Sequence, residues 1–160
     1  MKGNAFQCHG ETTNKQQFLK TVGVLEEHIN NTFSYPQDIA SVCKDFTLTA
    51  LKQPANLTKV EYDEDMGKKM IWETTMKSYI KRTEMMESNA RAIYAIVWGQ
   101  CSPMMQSKLE SLDKYTIKNQ ECDCIWLLKE LQGITHRLEG TRHVFFSVDD
   151  AWSTYYTFRP

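Results

Sequence analysis

Apolar residues recur along this chain at steps of three and four, and no stretch alternates convincingly between apolar and polar. That period sets side chains on one face of a helix, whereas a half-buried strand needs alternation. Phe18, Val22, Leu25 and Ile29 follow one another at steps of four, three and four and predict a first helix over 14–31. Thr13 and Gln16 have the spacing of a capping box at its start. Ser34-Tyr35-Pro36 opens a second predicted helix, with Ile39, Val42, Cys43 and Phe46 on its apolar face. Residues 1–12 have no period and read as an extended arm, and 52–60, around Pro54, reads as a linker.

A long third helix is predicted over about 62–86, behind the acidic run Glu61, Asp63, Glu64 and Asp65, which complements the positive end of a helix dipole. Met66, Met70, Ile71, Tyr79 and Ile80 mark a loose apolar stripe along it. Ser88 or Asn89 is the expected cap of a fourth helix running to Val97 or Trp98. Then comes the most informative stretch, Trp98-Gly99-Gln100-Cys101-Ser102-Pro103. Gly99 can take the left-handed conformation that closes one helix, Ser102 can cap the next, and Pro103 suits its first turn. The fifth helix runs from Pro103 to about Leu112, with Met105, Leu109 and Leu112 inward. A sixth starts near Glu121, carries Cys124, Leu127, Leu128, Leu131, Ile134 and Leu138, and ends at Gly140. Ser147 and Asp150 open a short last helix rich in aromatics. The expectation is an all-α bundle of six to seven helices with short connections. It divides into an N-terminal arm with two helices (1–53) and a main helical region (61–160), or forms one continuous domain.

Composition narrows the function classes. With 160 residues the chain fits one domain or two small lobes. Lys plus Arg number 19 against 20 Asp plus Glu, a formal charge of −1, which excludes a strongly basic nucleic-acid-binding domain. No apolar run is long enough to span a membrane, and the N-terminus lacks the apolar core of a secretory signal. Five cysteines without a regular framework fit a reducing compartment.

Candidate chemistry is sparse. Gly67-Lys68-Lys69 lacks the first glycine and the Ser or Thr of a phosphate loop. Cys122 and Cys124 are too close in sequence for a zinc pair, although Cys101, His136 and His143 complete a set of ligands on paper. Cys8-His9 are a nucleophile and a base side by side, where adjacent residues rarely align. Asp63-Glu64-Asp65-Met66-Gly67 resembles half a calcium loop, but the glycine falls one position early and Thr74 stands where a glutamate is needed. Lys68, Lys69, Lys77, Lys81 and Arg82, interleaved with Trp72 and Tyr79, are the candidate nucleic-acid contacts, since cations with aromatics can hold a single strand. Phe145, Phe146, Trp152 and Tyr155 are the candidate subunit contacts, aromatics being enriched at interfaces.

Several segments carry a family likeness. Phe6-Gln7-Cys8 with Gln17-Phe18-Leu19-Lys20-Thr21 forms the opening; Asn89, Ile93 and Trp98-Gly99-Gln100-Cys101-Ser102 form a helix and turn ahead of Lys108-Leu109-Glu110. Tyr115, then Asp123-Cys124-Ile125-Trp126-Leu127-Leu128-Lys129 and Ile134, form an apolar Leu-Leu helix. Together they resemble the capsid-like region of the Gag polyprotein of copia-type LTR retrotransposons. The chain contains neither the zinc knuckle C-x2-C-x4-H-x4-C that follows such a capsid nor an aspartic protease triplet, and His136 replaces the glutamate of a Gln-Gly-x-x-Glu signature begun at Gln132-Gly133. The resemblance therefore implies a polyprotein fragment or a co-opted copy. It implies a structural protein rather than an enzyme, with no cofactor, no metal, no small-molecule substrate and no membrane. Its partners would be itself and the element's RNA, in cytoplasmic virus-like particles. The alternative from the residues alone is a helical nucleic-acid-binding or protein-interaction module.

Overall fold

The computed structural model describes residues 6, 7, 14–59, 62 and 65–136. These residues form an all-α fold. Extended pairing among them is confined to an isolated parallel bridge between Phe6 and Cys101.

Helix α1 spans Asn14–Thr32, and its stripe of Phe18, Val22, Leu25 and Ile29 is buried as the spacing requires. Thr21, also buried, is satisfied by donating to the Gln17 carbonyl at 2.8 Å. Thr13, the expected cap, lies outside the described residues.

The second predicted helix is broken. A 3₁₀ turn at Pro36–Asp38 is followed by the four-residue helix α2, Ser41–Lys44. Tyr35 and Phe46 take left-handed backbone, φ 55° and 49°, on either side of this pair. For a side chain with a Cβ that conformation costs roughly 1–2 kcal/mol, and packing holds it here. Ile39, Val42 and Cys43 are buried and Phe46 packs against the core, so the apolar pattern holds although the continuous helix does not. Residues 47–58 carry no regular structure, and Trp72 Nε1 donates to the Ala55 carbonyl at 2.9 Å, tying this segment to the next helix.

Helix α3 runs unbroken over Met66–Gly99, 34 residues, where two helices were expected. Asp65 caps it, accepting from the Lys68 N–H at 3.0 Å; Glu61, Asp63 and Glu64 lie outside the described residues. The expected break at Ser88-Asn89 does not occur because Asn89 has a tertiary use for its side chain. Its amide donates to the Ser34 carbonyl at 2.9 Å, across the connection that leaves α1. The buried residues of α3 are Met86, Asn89, Ile93, Tyr94 and Val97, all in its C-terminal half. Of the predicted stripe in the other half, Met66, Met70, Ile71 and Ile80 are at the surface, 79%, 70%, 69% and 47% exposed, and Tyr79 is half-buried.

Gly99 keeps right-handed helical backbone, and Gln100 (φ −96°) closes α3 instead, its N–H reaching the Ile96 carbonyl at 3.1 Å. Ser102 then caps α4, Pro103–Glu110, accepting from the Met105 N–H at 3.3 Å with Pro103 in the first turn, as the sequence requires. Helix α5, Tyr115–Glu121, was not expected, and Glu121 ends it rather than starting the next helix. Cys122 turns left-handed at φ 53°, and Asp123 caps α6, residues 124–136, by accepting from the Trp126 N–H at 2.9 Å. Leu138, Gly140 and the predicted last helix from Ser147 and Asp150 lie outside the described residues.

One core cluster joins these elements: Phe6, Phe18, Leu25, Ile29, Ile39 and Val42 pack with Ile93, Val97, Met105, Leu109, Leu127 and Leu131. Residues from both sides of the 47–58 segment therefore share it. Each fully buried side chain of this kind contributes about 1.5–3 kcal/mol relative to exposure.

Candidate functional site

The turn between α3 and α4 is a packed joint. Phe6 N–H donates to the Gln100 carbonyl at 2.8 Å and Ser102 N–H donates to the Phe6 carbonyl at 3.0 Å, which clamps Phe6 onto the turn. The Phe6 ring is 1% exposed and lies 5.7 Å from the Phe18 ring. Cys101 is buried, its thiol donating to the Val97 carbonyl at 3.3 Å. Trp98 stacks on Tyr94 with 3° between planes and sits 5.5 Å from Tyr115, while its carbonyl accepts from Gln106 Nε2 at 3.1 Å. Tyr94 donates to Asn119 Oδ1 at 2.9 Å, and burial, with Tyr115 and Cys122 nearby, pushes its phenol up to about 12. These contacts register α3, α4 and α5 against one another.

The five candidate cations lie on α3 but do not share a face. At 3.6 residues per turn Lys77 and Lys81 are about 40° apart, whereas Lys68 is about 180° from Lys77. Lys68 and Lys77 and Lys81 are exposed. Lys69 holds its ammonium 4.3 Å above the Tyr62 ring, and Tyr62 meets Trp72 edge-on and donates to Glu73 Oε1 at 3.2 Å. Arg82 is committed to a bidentate pair with Asp38: its Nε reaches Oδ2 at 2.9 Å and its Nη2 reaches Oδ1. The Asp38 hydrogen bond raises the guanidinium pKa further, against the opposing effect of burial. The Asp38 side chain is only 5% exposed, so Arg82 neutralises a buried carboxylate and ties the 3₁₀ turn to α3. This partner is invisible to sequence periodicity, since a carboxylate 44 positions away has no periodic relation to Arg82.

Between 51–54 and α3 lies an open groove of about 480 Å³, lined by Leu51, Lys52, Pro54, Thr75, Tyr79 and Arg82. Its lining is a mixture of methyl groups, hydroxyls and cation stems and brings no acid, base and nucleophile together. Among the described residues the cysteines do not form a reactive site. Burial pushes the thiols of Cys43 and Cys124 up to about 12, with Glu26 adding to the effect at Cys43 and Asp123 at Cys124. No group of three His, Cys, Asp or Glu side chains converges as a metal site among the described residues. Cys8, His9 and His143 lie outside those residues, as do the candidate subunit contacts Phe145, Phe146, Trp152 and Tyr155. No described helix is long and apolar enough to cross a membrane.

A small charged cluster holds the joint between α5 and α6. Lys118 Nζ lies 2.8 Å from Glu121 Oε2 and 3.0 Å from Asp123 Oδ2. Burial works to raise the Asp123 pKa, but the Trp126 N–H and Lys118 outweigh it and hold the carboxyl below its ordinary value. The same two carboxylates raise the Lys118 pKa.

Compared with protein-family models, with curated proteins and with solved structures, the chain matches none.

Proposed function

We propose that this chain is a structural, Gag-like capsid protein of a retrotransposon, one that self-associates into particles around the element's RNA and has no catalytic role. The observation that carries the reading is the exposed apolar row Met66, Met70 and Ile80 on a helix whose other half is anchored in the core. Exposed apolar side chains grouped on one rigid element mark an interaction surface. The family resemblance supports it, because the turn from Trp98 to Pro103 joins two packed helices and carries no chemistry of its own. Assembly multiplies weak contacts, so individual interfaces need not be strong. The cytoplasmic virus-like particle belongs to this proposal.

The test is the mass of the purified chain by light scattering across concentration and salt, with and without added RNA. Growth into large species is expected. A strict monomer under every condition, RNA included, would refute the reading.

A second reading, a helical nucleic-acid-binding module, rests on Lys77 and Lys81, which share an exposed face. Reversing both charges discriminates. If a monomer binds RNA and the Lys77→Glu, Lys81→Glu variant loses that binding, the module reading wins; unchanged affinity removes these residues from the contact.

A further inference from the structure

None of the first twenty residues of α3 is itself buried, although Arg82 and Trp72 there tie the 3₁₀ turn and the 51–57 segment to it, and this overhang extends about 30 Å at 1.5 Å per residue. On it, positions 66, 70, 73, 77, 80 and 84 follow one another at steps of four, three, four, three and four, the spacing of a two-helix seam. They are Met66, Met70, Glu73, Lys77, Ile80 and Glu84. Met66, Met70 and Ile80 are exposed, and residues 51–57 lie against a different face, the one that carries Trp72, Thr75 and Tyr79.

We infer that this seam pairs antiparallel with the same seam of a second copy, about a two-fold axis level with Thr75 but on the opposite side of the helix from its side chain. The inference rests on the self-association proposed above and names its contact. The charges choose the occupant and the register. Centred on Thr75, Met70 of one copy opposes Ile80 of the other at both ends of the seam. Glu73 opposes Lys77 of the other copy, twice by symmetry, and Met66 lies beside the stem of Glu84. Sliding by one heptad in one direction sets Glu73 against Glu84; sliding in the other sets Met66 against Lys77. A parallel pair in register sets Glu73 on Glu73 and Lys77 on Lys77. One arrangement matches apolar with apolar and anion with cation throughout its centre, and such complementarity fixes register and partner. Glu73 can serve it without losing its internal bond, because Tyr62 occupies Oε1 and Oε2 keeps its own lone pairs for an ammonium.

The experiment uses the full chain and two variants, Glu73→Lys and Lys77→Glu, with mass followed by sedimentation equilibrium across concentration. The wild type is expected to dimerise. Each variant alone sets like charges opposite each other twice and is expected to weaken dimerisation at least about tenfold. Mixing the two variants restores both pairs, so two weakened proteins are expected to form a heterodimer. That recovery also shows that both variants are folded. Variants that keep the wild-type mass, or a mixture that gains nothing, would overturn the α3 contact. If larger species still form in that case, self-association stands and only the contact is lost. A wild type that stays monomeric with and without RNA removes both. A monomeric wild type in which Met70→Cys is shielded from alkylation would assign the face to the chain's own terminal segments and overturn the second copy as occupant.

Discussion

Substituting Asn89 tests whether α3 runs unbroken through its middle. As an N-cap, its side chain would accept from a backbone N–H, and aspartate would serve as well. In the structure it is 9% exposed in mid-helix and its amide donates to the Ser34 carbonyl at 2.9 Å. Asn89→Ala removes a bond worth about 1 kcal/mol net. Ser34 is exposed, so water can serve its carbonyl, and alanine returns roughly half a kcal/mol of helix propensity. The alanine variant should therefore lose only about 0.5–1 kcal/mol, close to the cost of a lost cap, and it does not decide the matter. Asn89→Asp does. It replaces the donor by a carboxylate facing a carbonyl oxygen at a buried position, which costs about 2–3 kcal/mol. Urea denaturation at neutral pH should show a lower midpoint with unchanged slope, and the melting temperature should fall by about 5–10 °C for a chain of this size. Acid should relieve the defect. Burial and the facing carbonyl raise the folded-state pKa of the new carboxyl, so the penalty is present above that value and fades as pH falls through it. The protonated O–H then donates where the amide did. An Asn89→Asp variant as stable as the wild type at pH 7 would refute the continuous α3 and restore the cap.

Asp123→Ala should cost about 1 kcal/mol, the usual worth of a helix cap. Because the folded carboxyl titrates below its unfolded value, its contribution is present above the ordinary carboxylate range and is lost as pH falls through the folded value; urea midpoints from pH 6 to pH 2 should show a steeper loss in the wild type than in Asp123→Ala. Phe6→Ala should destabilise by about 3–5 kcal/mol, as for a fully buried aromatic, although Phe6 belongs to no helix. A thermal melt reads this, and a shift below about 3 °C, under 1 kcal/mol on the usual conversion, would mean that Phe6 does not dock on the α3–α4 turn. With thiols pushed up to about 12, Cys43 and Cys124 have about one molecule in ten thousand ionised at pH 8. Mass spectrometry after brief alkylation of the folded protein should find both unmodified, and rapid labelling of either would contradict their burial.

What the sequence made legible was local. The stripe of α1 and the Ser102-Pro103 start of α4 depend on contacts within a turn or two, and both formed as expected. The cap expected at Ser88 or Asn89 does not form, since α3 runs through both positions and Asn89 bridges to Ser34, 55 positions away. Gly99 failed because a glycine permits the left-handed turn without requiring it, and Gln100 closed the helix in right-handed backbone. Helix α5 was illegible because its seven residues carry little apolar signal and none is buried. Cohesion there comes from Tyr94 bonding Asn119 and from Lys118 bridging Glu121 and Asp123. At the candidate site, the cation run was visible but its division was not: Asp38 claims Arg82 and Tyr62 claims Lys69, which leaves Lys77 and Lys81 together on one face.

The two halves of α3 carry apolar residues at the same helical spacing, yet one half is core and the other is surface. Periodicity reports that a face exists and is silent about what it meets. The energetics explain why the overhang persists. Starting a helix is the costly step, and a helix already fixed by Ile93, Tyr94 and Val97 adds each further turn without paying for a nucleus. The Asp65 cap and the Trp72 bond to Ala55 then hold its far end. Nothing in that account requires Met66, Met70 and Ile80 to be apolar. Charged residues would propagate the helix equally well and would spare the chain an exposed apolar row. Among the described residues no packing contact accounts for methionine and isoleucine at the seam positions, with one acid and one base placed symmetrically between them; the second copy proposed above would give that choice its reason.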